Sequence, residues 1–198
     1  MRTRFAPSPT GYLHIGNART ALQAYLAIKK IGGEFWLRID DTDQERSRKT
    51  YIEQIEKDLK WLGMSWDGYF CQSQRFARYE EIKNSLIASG RLYPCFETSE
   101  ELELKRKVQL GRNLPPIYDR ASLKLSTNQQ QELIASGKNP HYRFRLKEGQ
   151  IAWNDLIRGE IKFNAEHISD PIVIRGDGSL TYLLCSVIDD IDYHITHI

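Results

Sequence analysis

Cysteine is scarce in this chain: three among 198 residues, Cys71, Cys95 and Cys185, all far apart. An odd, scattered set supports neither a disulfide framework nor a Cys-x-x-Cys metal site, so the chain reads as intracellular. Long apolar runs are missing as well. None approaches the roughly 20 residues needed to cross a bilayer, and Met1-Arg2-Thr3-Arg4 leads straight into a strand without a secretory apolar core. Neither sign of charge dominates: 28 Lys and Arg against 26 Asp and Glu leave a net charge of +2. That balance does not announce a nucleic-acid binder, and any basic patch must be local. The length allows one large domain or two small ones.

What is present is concentrated near the start. Arg4-Phe5-Ala6-Pro7-Ser8-Pro9-Thr10-Gly11-Tyr12-Leu13-His14-Ile15-Gly16-Asn17 follows a short β-like opening. Pro7 and Pro9 fix their own φ and push Ala6 and Ser8 toward extended backbone, so the chain leaves the strand as a stiff hook, and Gly11 permits a tight reversal. Apolar residues then recur at Ala18, Ala21, Leu22, Tyr25 and Ile28, a helical spacing stopped by Gly32-Gly33. The helix starts near Ile15 to Asn17, so its unpaired N–H groups and positive dipole end face the mouth of the hook. Gly16 lets a nucleotide approach the backbone, and His14 can donate to a phosphate oxygen. A histidine at a helix start can equally be a cap or a surface residue, and both readings stand at this point.

Glu34-Phe35-Trp36-Leu37-Arg38-Ile39-Asp40 reads as an inner parallel strand. Strand, helix and strand with short joints form a right-handed crossover, and ligands of such sheets gather at the carboxyl ends of the strands, where Arg4 to Ser8 and Asp40 to Asp43 lie. Asp40 is the candidate for a substrate amino group, since an ammonium in a partly dry pocket needs an opposing charge. Asp41 and Asp43 lie before a helix and read as acids that cap it or favour its dipole. Thr50-Tyr51-Ile52-Glu53 has the form of a capping box, and Ile52, Ile55, Leu59 and Leu62, with Trp61, read as core. From about Cys71 the strands become short and the helices polar. Helices are expected from Thr98 through Lys107 and from Thr127 to Ser136, and His141, Arg143 and Arg145 form an exposed alternating row that could meet a phosphate backbone or simply be solvated. After Asp170-Pro171 a buried strand, Ile172-Val173-Ile174, and a helix from about Thr181 return the chain to the sheet, with Leu183, Leu184, Val187 and Ile188 inward. Tyr182 is either a core tyrosine or one that turns its hydroxyl toward the cleft.

The hook with its His14-Ile15-Gly16-Asn17 tetrad resembles the signature of class I aminoacyl-tRNA synthetases. Through Arg4 and Ser8 it is similar to bacterial-type glutamyl-tRNA synthetases, where glutaminyl and eukaryotic-type glutamyl enzymes usually carry an acidic residue and an Asn in place of Ser8 and Thr10. Matching blocks continue through Arg38-Ile39-Asp40-Asp41-Thr42-Asp43, Gln72-Ser73-Gln74-Arg75, Asp177-Gly178, Thr181-Tyr182 and Asp189-Asp190. The resemblance implies an α/β fold: a Rossmann-like parallel sheet with helices on both faces, residues 1–69 and 171–198, interrupted by an inserted α+β domain, residues 70–170, that receives the tRNA acceptor stem. It implies ATP-dependent attachment of L-glutamate to tRNA(Glu) through a glutamyl-adenylate. His14, Gly16 and Asn17 would be catalytic and, with Thr10 and Gly11, would hold ATP; Arg4, Phe5, Ala6, Pro7, Ser8, Asp40, Tyr182 and Ser186 would hold glutamate. Asp40 stands where the family generally has Glu, and Ser186 where members can have Asn. Arg143, Arg145, Lys105 and Arg106 are the candidates for tRNA contact.

Implied partners are tRNA, glutamate and ATP with Mg²⁺, in a cytoplasmic monomer with no membrane role. Some relatives hold zinc through cysteines near the start of the insert. Cys95-Phe96-Glu97 keeps one thiol and Tyr118-Asp119-Arg120-Ala121-Ser122 none, so no zinc is expected. Two other readings stay open: a glutamyl-Q tRNA(Asp) synthetase, and a non-catalytic acceptor-stem binder. The family's Lys-rich second signature and an anticodon-reading region are not found in these residues. The chain is therefore expected to be the amino-terminal part of a longer enzyme, binding ATP weakly and unable to charge tRNA; measurable aminoacylation by the purified 198-residue chain would overturn that.

Overall fold

The computed structural model describes residues 1–198. The chain divides into two compact units, Met1–Glu81 with Cys185–Ile198, and Ile82–Leu184. No helix is long and apolar enough to cross a membrane.

The first unit holds β1 (Arg2–Phe5), α1 (Ile15–Lys30), β2 (Glu34–Ile39), α2 (Lys49–Trp61), β3 (Gly68–Cys71), a 3-10 turn, Gln72–Arg75, and the start of α3 (Phe76–Ala88). The strands form a parallel sheet in the order β1-β2-β3, with Arg4 beside Trp36 and Arg38 beside Phe70. β2 is the inner strand, as its apolar run suggests. Its period of two sorts the side chains onto two unlike faces. Phe35, Leu37 and Ile39 join Phe5 and Cys71 in a core closed by Ala21 and Ile28 of α1 and Ile55 and Leu59 of α2. Each large aliphatic buried there contributes about 1.5–3 kcal/mol. On the opposite face Arg4, Trp36, Arg38 and Phe70 meet residues 185–193 at the end of α6 (Tyr182–Asp192), where Tyr193 stacks on Phe70 at 4.0 Å. The sheet is thus covered on both faces.

Several expectations are corrected here. Trp61 is 85% exposed rather than core: α2 buries Ile55 and Leu59, four residues apart, and position 61 lies on the far side of the helix. Leu62 is also exposed. The capping box at Thr50 does not form; the helix starts at Lys49, with Arg48 as an N-cap lacking a side-chain bond. The Arg48 N–H is instead given to the Pro9 carbonyl at 3.0 Å. Leu183 and Val187 point outward, while Ser186 and Asp189 are buried with Leu184 and Ile188, because the sheet face met by residues 185–192 carries guanidinium groups that demand polar partners. Strand β3 has no counterpart in the sequence reading. It opens on Gly68, where a Cβ would lie 2.3 Å from the Trp36 indole, so only glycine lets the ring cross the neighbouring strand.

The second unit contains β4 (Leu92–Cys95), α4 (Ser99–Gly111), α5 (Thr127–Ala135), β5 (His141–Phe144), β6 (Gln150–Asp155), β7 (Gly159–Asn164) and β8 (Ile172–Ile174). β4, β5 and β8 form an antiparallel sheet, and β6 and β7 a separate hairpin. α4 and α5 open on capping boxes, Thr98 with Glu101 and Ser126 with Gln129, as their Ser/Thr-x-x-Glu/Gln spacing requires. Arg143 is not on an exposed row. It is buried, donating through Nη1 to the Asp170 carbonyl at 2.6 Å with its guanidinium 4.0 Å above the Tyr118 ring. Arg145 remains exposed.

Asp170 organises this unit. Its oxygens accept from Arg120 Nε and Nη2 at 2.8 and 2.9 Å, the Tyr93 hydroxyl at 2.7 Å and the Leu146 N–H at 2.9 Å. Arg120 meanwhile holds a left-handed backbone at φ 54°, a conformation that non-glycine residues keep only when their surroundings impose it. Burial pushes the Asp170 carboxyl up, and Arg120, Tyr93 and the Leu146 amide outweigh it, holding the group below its ordinary value. The stability it contributes is therefore complete above the unfolded carboxylate value near 3.9 and is lost as pH falls through the lower folded value. Asp170→Asn is expected to cost about 2–3 kcal/mol at neutral pH in urea unfolding. The gap from wild type should close progressively in acid; a gap of constant size down to pH 3 would contradict the assignment.

Candidate functional site

The hook is pinned at both prolines. The Pro7 carbonyl accepts the Asp40 N–H at 3.0 Å, and that of Pro9 accepts the Arg48 N–H. Pro7 and Pro9 are buried, while Ser8 and Thr10 are exposed. Tyr12 sets its ring edge-on against Tyr51 at 5.1 Å. A bend between strand and helix is in this way tied to the carboxyl end of β2 and to the start of α2.

At the end of the hook His14 caps α1. Its Nδ1 accepts from the N–H groups of Gly16 at 3.0 Å and Asn17 at 3.4 Å, and the Asn17 side chain accepts from the His14 N–H at 3.3 Å. Two N–H donors aimed at Nδ1 leave that nitrogen without a proton, so in the neutral ring the proton sits on Nε2. The imidazole thus becomes an exposed donor with a fixed tautomer at the positive dipole end of α1, its Nδ1 taking up the Gly16 and Asn17 amides. Gly16 has a role that spacing alone does not disclose: a Cβ there would lie 2.8 Å from His14 Cε1, so its bareness seats the folded-back ring. Both the cap and the donor reading of His14 hold, on different nitrogens.

The carboxyl ends of the strands carry a buried ionic cluster. Arg38 is 1% exposed. Its Nε and Nη2 donate to the two oxygens of Asp40 at 2.6 and 3.1 Å, Nη1 donates to Asp190 at 3.1 Å, and Nη2 also reaches the Ser186 hydroxyl at 3.0 Å. Arg4 donates from Nε and Nη2 to both oxygens of Asp190, each at 2.9 Å. Asp189 faces elsewhere, accepting from Gln72, Arg75 and the Tyr79 hydroxyl at 2.6–3.0 Å. Burial pushes the Asp40 carboxyl up to about 6 against the pull of Arg38. Asp41 does not cap α2: its carboxylate accepts from the N–H and hydroxyl of Ser73, within the 3-10 turn. Asp43 closes a turn on Arg46.

Of the residues picked out in the sequence, Arg4, Asp40 and Ser186 meet in this cluster, while Tyr182 begins α6 in the other unit, exposed. Arg38 and Asp190 were not singled out as site residues. A charged residue inside an apolar strand was the available signal, since arginine is almost never fully buried unless paired. In the second unit Lys105 is engaged by Glu97 and Asp119, and Arg106 is exposed.

Cys95, Glu97 and His141 place one potential metal-ligand atom each within 4.8 Å of one another. Glu97 already accepts from Tyr118 at 2.9 Å, Ser122 at 3.0 Å and Lys105 at 3.3 Å, and burial pushes the Cys95 thiol up. Three candidate donors, one of them spent on hydrogen bonds and one a reluctant thiolate, are a poor match to a closed four-ligand zinc site.

Similarity to known proteins follows the same outline. The chain is 60% identical over 196 residues to a glutamate–tRNA ligase 1 of Rickettsia felis and 62% identical to that of Rickettsia prowazekii, covering 99% of this chain and 44% of each relative. It spans less than half the length of these curated relatives. A solved glutamate tRNA ligase of Elizabethkingia meningosepticum, in complex with its amino acid, superposes with a TM-score of 0.82 at 34% identity, over 99% of this chain and 42% of that one. The glutamate-tRNA synthetase of Elizabethkingia anophelis matches with the same TM-score and identity. The family model described as tRNA synthetases class I (E and Q), catalytic domain, matches residues 1–198, and the chain, with its proline-braced hook, histidine-capped helix and parallel sheet, belongs to that family.

Proposed function

We propose that the full-length protein attaches L-glutamate to tRNA(Glu) with ATP, by way of a glutamyl-adenylate, and that the Met1–Glu81 and Cys185–Ile198 unit carries the activation site. The single observation behind this reading is the capped start of α1. The His14 Nε2–H, set at the positive dipole end of α1, forms an anion site at the end of a rigid hook. The relatives' names support the amino acid and the reaction.

The α-carboxylate of glutamate attacks the α-phosphorus of ATP, expelling pyrophosphate and leaving glutamyl-adenylate; the ribose hydroxyl at the tRNA end then attacks the acyl carbon, expelling AMP and losing its proton. Neither step demands a protein nucleophile. The chain's work is alignment and charge stabilisation: His14, Gly16 and Asn17, with Thr10 and Gly11, hold ATP, and His14 strengthens its bond as charge builds on the phosphate. Mg²⁺ brought in with ATP would supply charge neutralisation at the phosphates. Arg4, with Ser8 and the Phe5-Ala6-Pro7 backbone, grips a carboxylate of glutamate, while Ser186 adds a polar contact. Asp40 orients the ammonium while still paired to Arg38, since a carboxylate has lone pairs for more than two donors. The Ile82–Leu184 unit is the counterpart of the insert expected at 70–170 and would meet the acceptor stem. Exposed Arg145 and Arg106 are better placed for that than buried Arg143 or the paired Lys105. The crowded hydrogen bonding at Glu97 supports an insert without zinc.

His14→Ala removes both cap and donor. It is expected to cost about 1 kcal/mol of stability and to slow glutamate-dependent pyrophosphate exchange by about 10²–10³-fold, measured on the full-length protein with tRNA present. His14→Asn keeps a capping oxygen, so it should restore the melting temperature without restoring exchange. Full exchange in either variant would refute the role of the imidazole.

A pH profile checks Asp40. Holding an ammonium needs the ionised carboxylate, so the KM for glutamate should rise as pH falls through about 6, and Asp40→Asn should flatten that rise. An unchanged profile in the variant would remove Asp40 from the site.

A further inference from the structure

Arg4 is held in an unusual way for a group meant to receive a ligand. Asp190 takes its whole Nε/Nη2 edge, in two bonds of 2.9 Å, and both side chains are only 13% exposed. The Nη1 end has no protein acceptor. Asp190 also accepts from Arg38 Nη1 at 3.1 Å, and the Ser186 hydroxyl, one helical turn earlier on α6, lies 3.0 Å from Arg38 Nη2 and 3.5 Å from Arg4 Nη2. Residues four apart on a helix share a face, so α6 presents one acceptor pair to both guanidinium groups. Within the cluster Arg4 and Arg38 are balanced by Asp40 and Asp190.

We propose that Asp190 is a positioning residue for amino-acid binding: it clamps one edge of Arg4 so that the other, Nη1 end is the only part of the guanidinium left for an incoming carboxylate. This rests on the reading of Arg4 as the grip on glutamate. An arginine carries about 2 kcal/mol of rotamer entropy, and a fork fixed beforehand loses less of it on binding. The clamp also offsets part of the positive charge Arg4 can offer. Orientation and raw attraction therefore pull in opposite directions when Asp190 is removed, and the clamp assigns the larger share to orientation. The neighbouring Asp189 provides an internal comparison, because it is also an aspartate, wholly buried, but bonds Gln72, Arg75 and Tyr79 rather than Arg4.

The test compares wild type, Asp190→Asn, Asp190→Glu and Asp189→Asn in the full-length protein, by glutamate-dependent pyrophosphate exchange with tRNA present and by thermal melting. Asp190→Asn should raise the KM for glutamate about tenfold or more, equivalent to about 1.4 kcal/mol, while the KM for ATP stays within about twofold. Asp190→Glu, which can still span the Nε/Nη2 edge, should recover part of the loss. Asp189→Asn should lower the melting temperature without separating the two KM values. A glutamate KM in Asp190→Asn that is unchanged or lower, or a KM for ATP that rises in parallel, overturns the proposal. Wild-type protein inert toward glutamate would instead overturn the functional reading. The clamp is then decided by the ¹⁵N signal of Arg4 Nε–H: slow to exchange in wild type and fast in Asp190→Asn if Asp190 holds it, equal in both if it does not.

Discussion

A guanidinium buried within a parallel sheet constrains everything packed around it. Arg38 occupies a strand position where an aliphatic residue would ordinarily sit, and a charge so placed persists only when every donor is matched. Asp40, Asp190 and Ser186 match it, and Arg75 with Asp189 repeats the arrangement beside it. Forming such a cluster gains little net stability, because each ion gives up its hydration, whereas removing one member strands the rest at a cost of about 3–5 kcal/mol. Its effect is to define where residues 185–192 of α6 can lie against the strands, and with them the direction of Arg4.

The two faces of this sheet divide the labour. Phe35, Leu37, Ile39, Ile28, Ile55 and Leu59 form a dry layer whose burial holds the unit together. The opposite face, with Arg4, Trp36, Arg38 and Phe70, gives up apolar area for directional contacts. Those contacts lie near the strand ends from which the hook departs, so a rigid apolar layer supports a layer that is polar and specific.

How much of this was readable beforehand depended on whether the determinant was local. The hook, the helix after it and the inner strand announced themselves through proline, glycine and periodicity, each acting within a few residues. The capping boxes at Thr98 and Ser126 did likewise. Trp61 misled because an apolar residue next to a helical stripe looks like part of it until the angle around the helix is counted. Arg143 misled because alternation says which residues share a side of a strand but not which side meets water. Its burial depends on Tyr118 and Asp170, distant in sequence. Asp40 lies two residues from Arg38, but Ser186 and Asp190, its other partners, lie about 150 positions along the chain, and the Asp190 partner of Arg4 lies 186, beyond any window of local pattern. Asp189 and Asp190 were legible as an acidic pair, but which of them faces Arg4 is set by about 100° of helical rotation.

Gly68 beneath the Trp36 indole bears on how the sheet assembles. Parallel strands joined by long crossovers can pair in more than one alignment, and a shift by two residues would keep every side chain on its proper face. Such a shift would bring Trp66 or Phe70 opposite Trp36, and a β-carbon would then sit in the space the indole ring fills. The flat ring accepts a single bare position, so a mispaired β3 is turned away by steric exclusion before the ionic cluster has any chance to close.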